Sequence, residues 1–337
     1  LALNSAIHGA ILKTRSLMVS GSGILINGAK TIEESETNYN SLTSQQKAEL
    51  KFLDENKYAG IERQEVYNLI GDNDSITGGF AYLIKWNSDF TKIASYEPLR
   101  IRDLRPAVPN EYGDIEKYYH YCGCWENARV KDFKEYYVYD RNDKEHYDQI
   151  VYEKDGPHLF FPVAGYKGAI TWVKIDIEMA TFHHRNIMNG MNPGMHFKFY
   201  HQPTSDEEKL EIQRQIKNEF QGPLRAGNPV MTFSDGKEFA TEVVPLQISE
   251  LDKQLLNLTE MCDRKILSGH QLTSPLLAGI SVSGQIGGNV ELPTAFALYN
   301  KMICAKRRQK IDNSFQKHIY DINVPGVKIN TNPFNPL

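Results

Sequence analysis

Cysteine is scarce in this chain of 337 residues, which has four, at positions 122, 124, 262 and 304. Cys122 and Cys124 stand too close together for a typical zinc knuckle, and no second pair follows them. The simplest interpretation is that all four are reduced thiols in an intracellular product. The sequence therefore predicts no cofactor and no bound metal.

Long apolar runs are also missing. No run approaches ~18 apolar residues, so we expect no membrane span. No signal peptide is visible. The first residue is Leu1 rather than methionine, so we expect a trimmed start, and the missing signal carries little weight.

An excess of charge of one sign is lacking too. The net charge of −4 gives no global electrostatic reason for tight binding to nucleic acid, although a local or transient contact is compatible with it. The composition, 41% hydrophobic and 24% charged, is ordinary for a globular protein. The length allows one large domain or two to three small ones.

Catalytic motifs are absent as well. The pattern G-x4-G-K-[ST] does not occur, and the segment SGQIGGN at 283–289 lacks the lysine and hydroxyl residue that complete a phosphate-binding loop. The patterns G-x-S-x-G and H-E-x-x-H are missing too. The sequence thus predicts a protein that is not an enzyme.

One enzymatic alternative remains, a metal-dependent phosphodiesterase that uses Asp176, Glu178 and His183 or His184. Positions i and i+2 of a helix point about 200° apart, so Asp176 and Glu178 cannot share one ion. The adjacent histidines also face different ways. Charges that face solvent or an interface are therefore the favoured interpretation.

Two long helices are predicted, over residues 168–190 and 249–269. The first has a narrow polar stripe with apolar side chains on both sides. Such a helix must be covered on two faces, and the second helix covers only one. We expect neighbouring subunits to cover the other. The polar stripe is Lys174, Glu178, Thr181 and Arg185; the apolar flanks are Ile170, Val173, Ile177, Ala180 and Ile187 on one side and Trp172, Ile175, Met179 and Phe182 on the other.

The rest of the chain is predicted to mix helices and strands. Helical periodicity covers 3–19, 43–54 and 62–71, and strands are expected at 23–27, 80–86 and repeatedly within 90–165. Residues 141–143 are predicted to turn a hairpin between Tyr137 and Tyr147. Between the long helices, the sequence predicts a strand at 195–200, an exposed helix at 208–220 and strands at 229–234 and 242–246.

A segment of small residues, 270–292, follows the second helix, and a third long helix is predicted over 293–319. A loop of this length inside a compact chain is usually functional or mobile. The third helix carries a basic run at Lys306, Arg307 and Arg308. A solvated face or an interface with acidic neighbours is favoured for this run, with contact to phosphate as the alternative.

The order of these segments resembles that of portal proteins of tailed bacteriophages. Each motif is weak alone, but about six occur in the family's order over nearly all of the chain. They are GFAY (79–82) followed by EPLRIR (97–102), then GAITWVKIDIEMATFHHRNIMNGMNPGMHFKFY (168–200), TSDEEKLEIQRQIKNEFQGPLRAGNPVMTF (204–233), VVPLQISELDKQLLNLTEMCDRKILSGHQLTSPLLAGI (243–280), a Gly/Asn loop and a terminal helix.

The resemblance implies an α+β fold of the portal type. It assigns a mixed α/β wing to 1–165, stem helices to 166–190 and 249–269, and a small βαββ clip to 191–248. A tunnel loop covers 270–292, a long helix returns to the wing over 293–319, and a tail covers 320–337. The chain departs from the family pattern by starting inside a helix and ending soon after the third helix. We therefore expect an N-terminal arm and a C-terminal crown to be missing.

The resemblance also implies a function. Family members form a homo-oligomeric ring, typically of twelve, at one vertex of the capsid in the virion, assembled in the host bacterial cytoplasm. Double-stranded DNA passes through the ring during packaging and ejection. The expected partners are the major capsid protein, terminase and head–tail adaptor proteins, with no membrane. Another head–tail connector protein is the alternative, disfavoured by the wing-sized N-terminal half.

Candidate residues follow from this assignment. The tunnel loop, being small and nearly uncharged, would let DNA slide through a constriction without gripping its phosphates. The residues proposed to face DNA are Ser281, Ser283, Gln285 and Asn289. Those proposed for the subunit interface of the stem are Trp172, Ile175, Met179, Phe182, Leu251, Leu255 and Leu258. Phosphate contact is assigned to Lys306, Arg307 and Arg308.

Overall fold

A computed structural model describes residues 4–156, 160–188, 195–198, 207–208, 210–212, 214–215, 242–245, 251–279 and 291–334. The chain divides into two compact units. The larger unit consists of Ala6–Gly168 and Leu267–Leu337. The smaller unit consists of Ala169–Ile266 with a few residues from the start of the chain.

Four helices open the larger unit: α1 (Ala6–Ser20), α2 (Ile32–Ser41), α3 (Ser44–Glu55) and α4 (Arg63–Thr77). A capping box begins α3, in which the Thr43 hydroxyl accepts from the Gln46 N–H and the Gln46 side chain accepts from the Thr43 N–H. The predictions of α1, α3 and α4 are confirmed. The sequence did not reveal α2, because its only buried residue is Ser35 and it has no apolar stripe.

A six-stranded sheet follows these helices, in the order β3-β2-β7-β6-β5-β4. Its most buried strand is β2, which lies next to the edge strand β3 and pairs antiparallel with β3 and β7. The strands are β2 (Gly79–Trp86), β3 (Ile93–Leu99), β4 (Leu104–Pro106), β5 (Lys117–His120), β6 (Lys134–Val138) and β7 (Asp148–Lys154).

The hairpin predicted between Tyr137 and Tyr147 is wrong. Strands β6 and β7 pair in parallel, with Tyr137 opposite Gln149 and Val138 opposite Ile150. The turn residues are real, since Asp140 and Asp143 accept local backbone hydrogen bonds. The segment that contains them returns the chain to β6, so that β7 runs beside β6 in the same direction.

A long helix, α7, spans residues 291–323 and supports one face of the sheet. It is continuous but contains two π-helical segments, Asn300–Cys304 and Gln316–Tyr320. Phe315 is fully buried, with its ring 4.7 Å from the ring centroids of both Tyr67 and Tyr82 and 5.6 Å from that of Tyr96. Helices α1, α4 and α7 thus share one hydrophobic core with β2 and β3.

A second, two-stranded sheet joins the two ends of the larger unit. Strand β1 (Ile24–Ile26) pairs antiparallel with β10 (Ile329–Thr331). Buried Asp312 of α7 holds β10 in place, since its carboxylate accepts from the Thr331 N–H at 2.9 Å and from the Thr331 hydroxyl. The residues after α7 are therefore tied to the beginning of the chain.

The smaller unit contains two long helices, α5 (Ile170–Met188) and α6 (Leu251–Gly269, whose last three residues belong to the larger unit). A strand pair lies between them in sequence, β8 (Met195–Lys198) antiparallel to β9 (Glu242–Pro245). Residues 207–208, 210–212 and 214–215 are helical. The α+β class is confirmed, whereas the assignment of wing, stem and clip stays a prediction.

In the part of the chain that the structure describes, none of the helices is both long and apolar enough to span a bilayer.

Candidate functional site

The apolar faces of α5 and α6 are the first candidate surface. Some of their apolar side chains are buried within the chain, namely Val173, Met179, Cys262 and Ile266. Others stay exposed, namely Phe182 at 39%, Met188 at 43%, Leu256 at 68% and Met261 at 48%. The two helices of the smaller unit therefore keep apolar surface that the described part of the chain leaves exposed.

The predicted interface residues fall into different environments along these helices. Phe182 is exposed and Met179 is buried, while Trp172, Ile175, Leu255 and Leu258 are partly buried. Met179 contributes to packing within the chain, since the Thr259 hydroxyl of α6 lies 3.9 Å from its sulfur. Leu251 lies in α6, but its side chain is outside the described part of the structure. The predicted set thus mixes intrachain packing with available surface.

Acidic side chains cluster on the paired helices. The pKa of Asp263 is raised, first by burial and then by the nearby charges of Asp176 and Glu260. Burial, Asp176 and Asp263 likewise raise the pKa of the Cys262 thiol. The opposite end of α5 carries the exposed side chains of His183, His184 and Arg185. A cation lies within this acidic group as well, since Arg264 pairs with Glu260 at 3.3 Å.

The residues of the phosphodiesterase alternative do not assemble into a site. Asp176 is partly buried, whereas Glu178, His183 and His184 are exposed. Among the described residues, these four do not form a group of three potential metal ligands close to one another. The geometry therefore does not support metal-dependent catalysis at this position.

The four residues assigned to DNA contact in the tunnel loop, Ser281, Ser283, Gln285 and Asn289, lie outside the described residues. The first part of that segment, up to Gly279, is described and is well anchored. The Thr273 hydroxyl donates to the Ala295 carbonyl at 2.9 Å, and Leu272 and Leu277 pack against the main core. Residues 270–279 therefore form a packed connection to α7.

A buried histidine pair anchors the start of this segment. His270 Nε2 lies 2.8 Å from His8 Nδ1, and the rings of both histidines lie within 5 Å of the Tyr166 ring. Burial, with His8 and Arg15 nearby, lowers the pKa of His270 to about 3. Burial also lowers the pKa of His8. Both imidazoles are therefore neutral near pH 7, which suits their position beneath the protein surface.

Internal partners account for two of the three residues assigned to phosphate contact. Arg307 pairs with Asp74 at 3.3 Å and Asp155 at 2.6 Å. Arg308 is buried, and its guanidinium donates to the Met18 carbonyl at 2.8 Å and to Asn300 at 2.6 Å. Lys306 alone of the three is exposed. The basic run thus serves mainly as an interface with acidic and carbonyl partners inside the larger unit.

A basic groove on α7 was not recognised from the sequence. Its cavity of about 460 Å³ is lined by Glu153, Lys306, Gln309, Lys310, Asn313, Ser314, Lys317 and His318. Ser314 donates to Glu153 at 3.2 Å, and His318 contacts the Tyr82 hydroxyl at 3.1 Å. The signal was present in the spacing of the lysines, since steps of 4 and 7 residues return to one face of a helix.

Solved structures resemble this fold over nearly its full length. An HK97 family phage portal protein from Corynebacterium diphtheriae superposes with a TM-score of 0.50 at 10% identity, covering 95% of this chain and 92% of that protein. The chain has the fold of a phage portal protein. The neck of the empty gene transfer agent particle, computed with C6 symmetry, superposes with a TM-score of 0.59 at 14% identity. The match covers 96% of this chain and 80% of that one. The neck of the native particle, computed with C12 symmetry, superposes with a TM-score of 0.56 at 13% identity. The match covers 96% of this chain and 79% of that one.

No family model and no curated protein matches the sequence. The resemblance to portal proteins is therefore carried by the portal fold and by the order of short motifs, with identities of 10–14% to the structures named above. The fold prediction is confirmed at this level. The roles of individual residues in subunit contact and DNA contact stay predictions.

Proposed function

We propose that this chain is a ring-forming portal subunit at the unique capsid vertex of a tailed phage. The observation that carries the proposal is the match to a phage portal protein over 95% of this chain and 92% of that one. A smaller head–tail connector is less well supported, because the match extends through both units rather than through one. The particle necks of the two other matches were computed with C6 and C12 symmetry, and cyclic symmetry is what a ring requires.

The stem helices provide a physical reason for ring formation. An isolated chain that leaves Leu256 and Met261 about half exposed or more keeps apolar surface in water. Each buried CH₂ group is worth roughly 0.8 kcal/mol, so a neighbouring copy that covers these faces stabilises the assembly. A ring uses two different faces of each subunit, which is what helices apolar on two sides supply.

The proposed ring is a conduit for double-stranded DNA during packaging and ejection. Residues 281–289 would form its constriction, with Ser281, Ser283, Gln285 and Asn289 facing DNA. Lys306 would be available for phosphate contact. Terminase and head–tail adaptor proteins would dock on the clip at 191–248, and the major capsid protein would surround the wing. Assembly in the host cytoplasm precedes incorporation into the virion.

Imaging of the purified full chain tests ring formation. We expect closed rings with a central channel wide enough for duplex DNA, together with a mass of about twelve subunits. A stable monomer at high protein concentration would contradict the proposal.

Two substitutions test whether the stem forms the subunit interface. Trp172→Glu and Phe182→Glu should abolish rings while leaving a folded monomer, as judged by circular dichroism and mass photometry. Lys174→Glu places the same side chain on the polar stripe of the same helix and should retain rings. Normal rings from both stem variants would show that these side chains do not lie between subunits.

Deletion of residues 281–289 tests the conduit separately. Rings should still form, but DNA packaging or retention in particles should fall, because the constriction is lost. A matched variant that replaces the segment with glycine and serine of equal length should package better than the deletion. Loss of ring assembly in the deletion would assign the segment a structural role instead.

A further inference from the structure

Asp103, His120 and Cys122 place three potential metal-ligand atoms within 4.8 Å of one another in the larger unit. Asp103 directly precedes β4, His120 ends β5, and Cys122 lies two residues further on. The strands pair with Leu104 opposite His120, and the Tyr121 N–H donates to the Asp103 carbonyl at 2.9 Å. Backbone pairing therefore brings the three side chains together at one end of the β4–β5 pair.

The spacing of the donors fits a tetrahedral zinc ion. Zinc binds thiolate sulfur at about 2.3 Å and imidazole nitrogen at about 2.0–2.1 Å, so a tetrahedral site separates these two atoms by about 3.5 Å. Cys122 Sγ lies 3.4 Å from His120 Nε2. Because the three donor atoms all lie within 4.8 Å of one another, a carboxylate oxygen of Asp103 needs to approach by at most about 1.5 Å to complete three ligands at zinc distances. Thiolate, imidazole and carboxylate together are a donor set that zinc accepts.

The surroundings position the carboxylate. The Asp103 side chain is buried, its Oδ2 accepts from Arg100 Nε at 2.5 Å, and its Oδ1 lies 3.4 Å from Arg102 Nε. Carboxylates that bind a metal commonly accept such outer hydrogen bonds, and each oxygen retains a further lone pair. The two guanidinium groups add positive charge, so we expect weaker affinity than at a site without them.

The imidazole offers a ring nitrogen on the side of the thiol. His120 Nε2 is the atom that lies beside Cys122 Sγ, so one ion can contact both. Cys122 is exposed, which gives an ion a path to the site from solvent.

We propose that Asp103, His120 and Cys122 bind one zinc ion, with a water molecule as the fourth ligand. Coordination displaces the thiol proton of Cys122 to solvent, as thiolate binding requires. The ion fastens the three-residue edge strand β4 to the end of β5. It thereby stabilises the margin of the six-stranded sheet, independently of whether the chain forms a ring.

A metal-free explanation exists for the same geometry. The contact between Cys122 and His120 can be an ordinary thiol–imidazole hydrogen bond, and Asp103 can serve only to pair with Arg100 and Arg102. The two explanations differ in whether the three groups act together on an added ion.

Cobalt titration of the full chain, stripped with a chelator and reduced, tests the proposal. Co²⁺ bound by thiolate gives a charge-transfer band and tetrahedral d–d bands that added Zn²⁺ removes. We expect one equivalent of metal per chain by elemental analysis and a higher thermal midpoint with Zn²⁺. Cys122→Ser should abolish the charge-transfer band, and His120→Gln should weaken binding at least tenfold. Cys124→Ser, the matched control, should bind as the natural chain does.

The outcomes separate clearly. No stoichiometric metal in the natural chain overturns the proposal, as does a cobalt spectrum that survives Cys122→Ser. Loss of binding in Cys124→Ser with normal binding in Cys122→Ser also overturns it. Asp103→Asn also disturbs the ion pairs with Arg100 and Arg102. Its metal affinity is therefore compared only after circular dichroism has shown that the variant is folded. Unchanged affinity in a folded Asp103→Asn would contradict its assignment as a ligand.

Discussion

The two units differ in the hydrophobic cores that their described residues form, since both large core clusters lie in the larger unit. In the larger unit, aromatic rings such as Tyr67, Tyr82 and Phe315 are almost wholly buried and touch one another. In the smaller unit, Phe182 and Leu256 stay exposed although they lie on long regular helices. The larger unit thus contains its own core, and the exposed apolar side chains of α5 and α6 are available to the neighbouring copy proposed above. The comparison teaches that the described packing that stabilises this chain lies mainly in the larger unit.

The largest expected effect comes from cutting into the enclosed core. Phe315→Ala should lower the free energy of unfolding by about 3–5 kcal/mol, because it leaves a cavity among Tyr67, Tyr82 and Tyr96. Phe182→Ala makes the same chemical change in the smaller unit and should cost less than about 1 kcal/mol in the monomer. Urea unfolding followed by circular dichroism measures both. Equal losses would erase the contrast between the units.

A smaller effect is expected from the adjacent basic residues of α7. Arg307→Gln removes the cation that pairs with buried Asp74. The pKa of Asp74 is raised overall, because the effect of burial outweighs the lowering effect of Arg307. The substitution should destabilise the chain by about 1–3 kcal/mol. Lys306→Gln should change stability by less than about 0.5 kcal/mol, since Lys306 is exposed. Thermal unfolding of both variants checks this, and a larger loss in Lys306→Gln would reverse the assignment of their roles.

The buried histidine pair makes the larger unit sensitive to acid. The pKa of His270 is about 3 in the folded chain, whereas an unfolded histidine titrates near 6.5. The unfolded state therefore takes up a proton first as the pH falls below about 6.5. Stability is lost from there down to about pH 3, at up to about 1.4 kcal/mol per pH unit for one group.

The acid effect is measured as a difference between variants. In His270→Gln no proton can be taken up at this position, so this variant does not share the loss of stability in acid. Its stability deficit relative to the natural chain should therefore shrink as the pH falls from 6.5 to 4. Asp54, Asp74 and Asp312, whose pKa values burial raises, remain in both chains and cancel from the difference. A deficit that stays constant over this range would show that His270 takes no part in the pH dependence.

The smallest effect on the isolated chain is expected at Leu256, the most exposed of the large apolar side chains described on α5 and α6. Leu256→Gln should alter monomer stability by no more than about 0.5 kcal/mol, because 68% of that residue is already in water. The same change should weaken ring formation, measured by mass photometry over a dilution series. A monomer destabilised by several times this amount would mean that the face is covered within the chain.

The regular elements could be predicted because their signals are local. The apolar spacing that marks α1 and α4, and the Thr43–Gln46 capping box of α3, lie within a few consecutive residues. Helix α2 escaped notice because it exposes nearly all of its residues and has no apolar period to detect. The portal resemblance likewise rested on short motifs in a fixed order, and the fold confirms it.

The candidate sites were harder to predict because they depend on distant partners. Arg307 and Arg308 have the same charge as Lys306, and only Asp74, Asp155 and the Met18 carbonyl distinguish their roles. The basic groove needed the neighbouring sheet to become a cavity. The residues of the predicted tunnel loop were chosen from the portal resemblance and from the small, nearly uncharged composition of the loop, and they remain a prediction.

The sequence by itself determined the long helices, most of the strands and the order of segments that resembles a portal protein. These depend on side-chain periodicity and on capping, which are both set by residues within a few positions of one another. The tertiary structure decided the parallel pairing of β6 with β7, the neutral pair of His8 and His270, and the meeting of Asp103 with His120. Each of these joins residues that are distant along the chain or reverses a local turn signal. Their formation depends on closing loops and burying surface together, which no short stretch of sequence encodes.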